Sequence, residues 1–203
     1  MVKYLNYLSF ITALVLLCNL FVFVRGIYPA PKEYPNHIHR TIYVERRFDD
    51  FEQEQIIAAA MEWTEITNHI IEFDIVQLPS NGRMDPNGIY INITTPDHPD
   101  VILLDKTNGG TTLAYFDHNS RLPYIGMINA RITNKDYKAV VMHELGHAIG
   151  LDHNYGEEGI GTLMYPSING GSYHVEKLDG ERLCKLYHCD PTKLKYQEES
   201  LHF

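Results

Sequence analysis

The run His143-Glu144-Leu145-Gly146-His147-Ala148-Ile149-Gly150-Leu151-Asp152-His153 spaces three imidazoles and one carboxylate as H-E-x-x-H-x-x-G-x-x-H. Imidazole nitrogens suit Zn²⁺. Three of them leave a fourth coordination position open, which is the layout of a catalytic zinc site and not of a closed structural one. Residues four apart on an α-helix stand one turn above each other on the same face, so His143 and His147 can address one metal. Glu144 lies about 100° further round the helix, poorly placed to share that coordination direction. It can still reach a water in the open position, whose pKa zinc lowers toward ~7. Gly150 falls where the helix must stop, and glycine accepts the left-handed conformation that turns a chain there. The turn brings His153 back to the same metal. The expected chemistry is hydrolysis by a zinc-bound water, with Glu144 as general base. A purely structural metal site would leave Glu144 without a role.

The elements that must position these groups can be read on either side of the run. Thr41 to Glu45 reads as a strand. Asp50 to Thr67 reads as an amphipathic helix capped by Asp49 or Asp50, with Phe51, Ile56, Ile57, Ala60, Met61, Trp63 and Thr64 as its buried stripe. Further strands are expected at Ile70 to Val76, Gly88 to Thr94, Thr111 to Phe116 and Ile125 to Arg131. The metal-binding helix is expected from Asp136 to Ile149. A last helix is expected from Val175 to Tyr187, with Leu178, Leu183 and Leu186 at helical intervals. Strands around an early helix, followed by two late helices, make an α+β domain.

The zinc run followed by Thr162-Leu163-Met164-Tyr165-Pro166 resembles the metzincin zinc metalloproteases, and most closely their matrixin (matrix metalloproteinase) branch, in which Tyr-Pro directly follows the methionine. The resemblance implies zinc ligands at His143, His147 and His153, the general base at Glu144, the turn glycine at Gly150 and the methionine beneath the metal at Met164. It places Pro166 to Ile168 along the S1′ wall. It also makes Thr111 to Phe116 the edge strand above the cleft, so that Leu113, Ala114 and Tyr115 would bind an extended peptide substrate by strand addition. Trp63 would be core. Three departures stand out: Asn154 where serine is usual, eleven positions from His153 to Met164 with Gly156 to Gly159 as an added surface loop, and Ile168 in place of an aromatic. Matrixins also carry structural Zn²⁺ or Ca²⁺. Asp97, His98, Asp117 and His118 are the candidate ligands here, yet no metal-spaced pattern joins them, and they read as solvated loop residues.

The 203 residues carry a net charge of −9, which argues against a nucleic-acid partner. Lys3, the apolar run from Leu5 to Val24 and then Arg25-Gly26 make residues 1–26 either a signal peptide cut after Gly26 or an uncleaved membrane anchor through residues 5–24. The remaining organisation reads as an extended arm at 27–39, a catalytic domain at 40–190 and a tail at 191–203. Cys184 and Cys189 are expected to pair in an oxidising compartment, provided the helix ends near Tyr187 or His188. The matrixin prosegment cysteine has no counterpart between Gly26 and the zinc run. The leading expectation is therefore a secreted or surface-anchored zinc endopeptidase, monomeric, acting on an extended peptide. The competing readings are a non-catalytic binding protein on the same scaffold and a zinc amidohydrolase of a non-peptide substrate.

Overall fold

The computed structural model describes residues 37–78, 85–117 and 122–196. Both readings of residues 1–26 lie outside these, as do His118 and most of the expected arm. Among the described residues no helix is long and apolar enough to cross a membrane.

Strands β1 (Ile38–Val44), β2 (Ile71–Gln77), β3 (Ile89–Ile93), β4 (Ala114–Asp117) and β5 (Tyr124–Met127) form one twisted sheet in the order β2-β1-β3-β5-β4. The first four in that order are parallel, with Ile38 opposite Ile71, Ile42 opposite Ile89 and Tyr90 opposite Tyr124. β4 is antiparallel to β5 and closes the sheet at one edge. Parallel neighbours need a crossover, and helix α1 (Asp50–Ile66) supplies the one between β1 and β2. Asp49 and Glu52 cap α1 reciprocally, each carboxylate accepting the other's backbone N–H at 2.8 and 2.9 Å.

α1 packs on helix α3 (Tyr137–Ala148), which carries the zinc run and leans on β4. Trp63 is the fully buried centre of this contact, and its indole N–H donates to the Met142 carbonyl at 2.9 Å. Truncating a core ring of this size typically costs ~3–5 kcal/mol. Alongside it, Glu62 of α1 is buried in an ion pair with Lys138 of α3. The active-site helix is thus held from behind by one large apolar anchor and one charged pair.

Several sequence expectations need correcting. Ile57 and Met61 belong to the exposed side of α1, at 42% and 54% exposure. The strand expected to run on to Arg131 ends at Met127, and Asn129–Arg131 forms a single 3₁₀ turn. Helix α2 (Pro99–Asn108) was not foreseen; only Val101 is buried on it, so it writes no apolar period into the sequence. The final helix, α4 (Lys177–Tyr187), begins two residues later than expected. Its buried face is Asp179, Gly180, Leu183, Cys184 and Tyr187, with Leu178 and Leu186 at the margin. His188 ends α4 in the left-handed conformation, and Cys184 is disulfide-bonded to Cys189. Ile38 and His39, the last two residues of the expected arm, are already in β1. The expected tail starts later than 191, because Leu194 is buried and the Lys195 N–H donates to the Ile66 carbonyl at 2.9 Å.

Candidate zinc centre

α3 carries His143 and His147 on one face, as the four-residue spacing requires. Gly150 follows the helix at φ 99°, a backbone conformation that side chains other than glycine's rarely adopt. The chain turns there and returns His153. The Nε2 atom of His153 stands 3.2 Å from that of His147 and 3.1 Å from that of His143. A tetrahedral zinc with Zn–N near 2.0–2.1 Å needs a ligand–ligand edge of about 3.3–3.4 Å. The two printed edges lie within a few tenths of an ångström of that value, all three ligand atoms lie within 4.8 Å of one another, and among the described residues this is the group of three that could hold a metal.

Each ligand is oriented by its other ring nitrogen. His143 Nδ1 donates to the Leu163 carbonyl and His147 Nδ1 to the Leu151 carbonyl, both at 2.7 Å. His153 Nδ1 lies 3.0 Å from the Tyr155 hydroxyl. Such partners fix the tautomer and leave Nε2 bare for the metal. Burial, together with the neighbouring imidazole, pushes the pKa of His143 down to about 3 and that of His153 to about 4. Burial lowers His147 too. The ligands are therefore already neutral at pH 7, as coordination demands.

Glu144 is turned off this triangle. Burial alone pushes its carboxyl up to about 8, and Oε2 has no hydrogen-bond partner. An unpartnered buried carboxylate oxygen is costly unless something arrives to engage it.

These shifts make the metal-free protein sensitive to pH in both directions. Below pH 6.5 the unfolded chain takes up protons that His143 and His153 refuse in the fold, so stability falls as the pH drops from 6.5 toward 4. Glu144 acts oppositely: the fold keeps a proton that the unfolded chain releases above 4.5, so stability falls as the pH rises from 4.5 toward 8. Glu144→Gln is expected to raise the stability of the zinc-free protein by about 4 kcal/mol at pH 7.5 and to leave it nearly unchanged at pH 4.5. Urea midpoints at the two values check this; equal effects at both would remove titration as the cause.

The floor of the site is Leu163-Met164-Tyr165. Met164 is fully buried, and its carbonyl accepts the Asn154 N–H at 2.8 Å. Its sulfur lies so near Gly146 that a Cβ there would stand 2.4 Å from Sδ and 3.4 Å from Trp63 Cζ2. Gly146→Ala must displace a fully buried thioether. The expected cost is ~1–3 kcal/mol, with strong coupling to Met164→Ala in a double-mutant cycle. Additive losses in urea would show that the contact is slack.

A cleft of about 750 Å³ opens over the trio. Of the expected substrate residues it is lined by Leu113, Ala114, Pro166 and Ile168. Tyr115 is not among them. β4 begins at Ala114, so Tyr115 points to the opposite side of the sheet from it. There its ring covers Gly126, and its hydroxyl sits 3.0 Å from that of Tyr124. Leu113 precedes the strand, and its carbonyl is already taken by the Ile128 N–H.

Gly146, Tyr155 and Asp179 went unread in the sequence, and Asn154 was read only as a departure from the family pattern. Asn154 is buried and folds the added loop back on itself, its Nδ2 donating to Thr162 Oγ1 at 3.3 Å. A Cβ on Gly159 would stand 2.1 Å from the Asn154 carbonyl oxygen. Asp179 is fully buried and accepts the N–H groups of Leu163, Met164 and Glu176. A carboxylate on the apolar face of α4 was the available signal for Asp179.

A family model for matrixin, peptidase M10, matches residues 41–188, and the chain belongs to that family. A 73-residue stretch is 38% identical to metalloendoproteinase 5-MMP of Arabidopsis thaliana, covering 33% of this chain and 19% of that relative. Among solved structures, high choriolytic enzyme 1, a hatching enzyme zinc-protease of the medaka fish Oryzias latipes, is similar at TM-score 0.49 and 12% identity, over 78% of this chain and 94% of that one. Archaemetzincin from Methanopyrus kandleri is similar at TM-score 0.49 and 12% identity, over 76% and 97%.

Proposed function

We propose that this chain is an exported zinc endopeptidase that binds an extended peptide along β4 and cuts it at the His143–His147–His153 centre, with Glu144 as general base. The observation that carries the reading is the pairing of a three-nitrogen triangle with a buried carboxylate at the cleft whose Oε2 is unpartnered. The three Nε2 atoms would hold zinc, which would supply Lewis-acid polarisation of the scissile carbonyl and lower the pKa of the attacking water. Glu144 Oε2 accepts the proton of the attacking water and delivers it to the leaving nitrogen. A cation held beside it favours the carboxylate form against the effect of burial. The disulfide at Cys184–Cys189 supports passage through an oxidising compartment.

The test is cleavage of a peptide library by the purified protein, with and without a chelator. Cleavage that stops on chelation and returns with zinc supports the reading; no cleavage by zinc-loaded protein removes it. The same library addresses specificity. The residue after the cut is expected to be apolar, of medium to large size. Val140, Leu163, Pro166 and Ile168 line that side, and among the described lining residues no lysine, arginine or aspartate is present. An unpaired charge buried there would be costly. A dominant charged residue after the cut would refute this pocket assignment.

A further inference from the structure

We propose that Tyr155 is a positioning residue: its phenol fixes His153, the zinc ligand that lies outside the active-site helix, in its metal-facing orientation. The three ligands are held in different ways. His143 and His147 rise from α3, and their Nδ1 atoms are tied to main-chain carbonyls. Both carbonyls belong to fixed backbone: the Leu151 N–H is bound by the Gly146 carbonyl, and the Leu163 N–H by Asp179. His153 has no helix beneath it. An imidazole turns readily about its last torsion, which has only broad minima. For His153 that torsion is held by a side chain, the Tyr155 hydroxyl at 3.0 Å, with the two rings edge to face at 5.5 Å and 81°.

The backbone of Tyr155 is well placed for this although its side chain is 68% exposed. It follows the buried Asn154, whose N–H is bound by Met164. It precedes Gly156, at φ 97°, where the chain enters the Glu157–Gly159 turn that closes on Asn154. The segment between the third histidine and the methionine thus delivers a phenol to the one ligand that needs a side-chain partner. Nδ1–H donates and the phenol oxygen accepts, which leaves Nε2 as the bare nitrogen.

The inference rests on the zinc site of the proposed function, and its test reads metal binding separately from catalysis. Zinc dissociation constants of native protein and Tyr155→Phe are measured by competition with a chromophoric chelator, alongside urea midpoints of both metal-free forms. Phenylalanine keeps the ring and removes the acceptor. A 10–100-fold weaker affinity is expected, with the metal-free midpoint unchanged because the hydroxyl lies at the surface. In the cobalt-substituted proteins the visible ligand-field bands are expected to shift between native and variant. Tyr155→His, which retains a ring acceptor, should recover part of the affinity. Equal zinc affinity and superimposable cobalt bands would overturn the role of Tyr155 while leaving the zinc site standing. An equal loss in the metal-free midpoint would make the residue merely structural and overturn it too. Failure of the native protein to bind zinc would instead defeat the proposed function.

Discussion

Glu144→Gln is expected to lower turnover of a cleaved peptide by about 10²–10⁴-fold, close to 3–5 kcal/mol of transition-state stabilisation, while zinc content stays at one per chain. Glutamine keeps the volume and an acceptor oxygen and removes only the proton-carrying function. Zinc is retained because the ligand atoms that converge are those of His143, His147 and His153. Metal analysis and kcat on the same sample decide it; near-normal turnover would show that another group moves the proton. The same substitution should stabilise the zinc-free protein at neutral pH, because it removes the buried carboxyl that the fold must keep protonated. Lower activity with higher stability is the pattern expected of a group retained for chemistry at a cost to the fold.

The three-histidine group could be read from the sequence because coordination demands particular side chains at particular intervals, and those intervals are local. The turn at Gly150 was legible for the same reason. α2 was not, because a helix with one buried residue leaves no period to detect. Tyr115 does not line the cleft because successive strand residues face opposite sides, and Ala114 is the one turned toward it. A strand starting at Ala114 rather than Thr111 leaves Leu113 outside the alternation, with Ala114 toward the cleft and Tyr115 over Gly126. Nothing in the sequence assigns Gly146 a role, and the position of the Met164 sulfur gives it a reason. Tyr155 and Asn154 lie in a loop whose folding depends on Thr162 and Gly159, contacts that no local pattern announces. What stayed hidden was the shell that orients the ligands, which is made by tertiary contacts across the last third of the chain.

Asp179 shows how far that shell extends, and Asp179→Ala should be among the most damaging substitutions away from the ligands. Its carboxylate receives the N–H groups of Leu163 at 2.9 Å, Met164 at 3.2 Å and Glu176 at 3.0 Å, with no exposure to solvent. Alanine would strand three buried donors, each worth ~1–3 kcal/mol if left unpaired. It would also remove the carboxylate from the first turn of α4, where the helix dipole favours it. Partial relaxation brings the expected loss to about 3–5 kcal/mol, read as a lower urea midpoint at unchanged m-value. Asparagine restores the volume but presents an amide donor toward one of the same N–H groups, so it should recover only part of the loss. The consequence for the metal follows from a single residue. The N–H of Leu163 is held by Asp179, and its carbonyl accepts the Nδ1–H of His143 at 2.7 Å. Freeing one side of Leu163 loosens the acceptor that orients the first ligand. Zinc affinity measured under native conditions should therefore fall by ~10–100-fold in Asp179→Ala, the usual effect of losing an outer-shell partner. If stability falls and zinc affinity does not, the floor of the site is held by Met164 and Trp63 packing alone, and the line from α4 through Leu163 to His143 carries no energy.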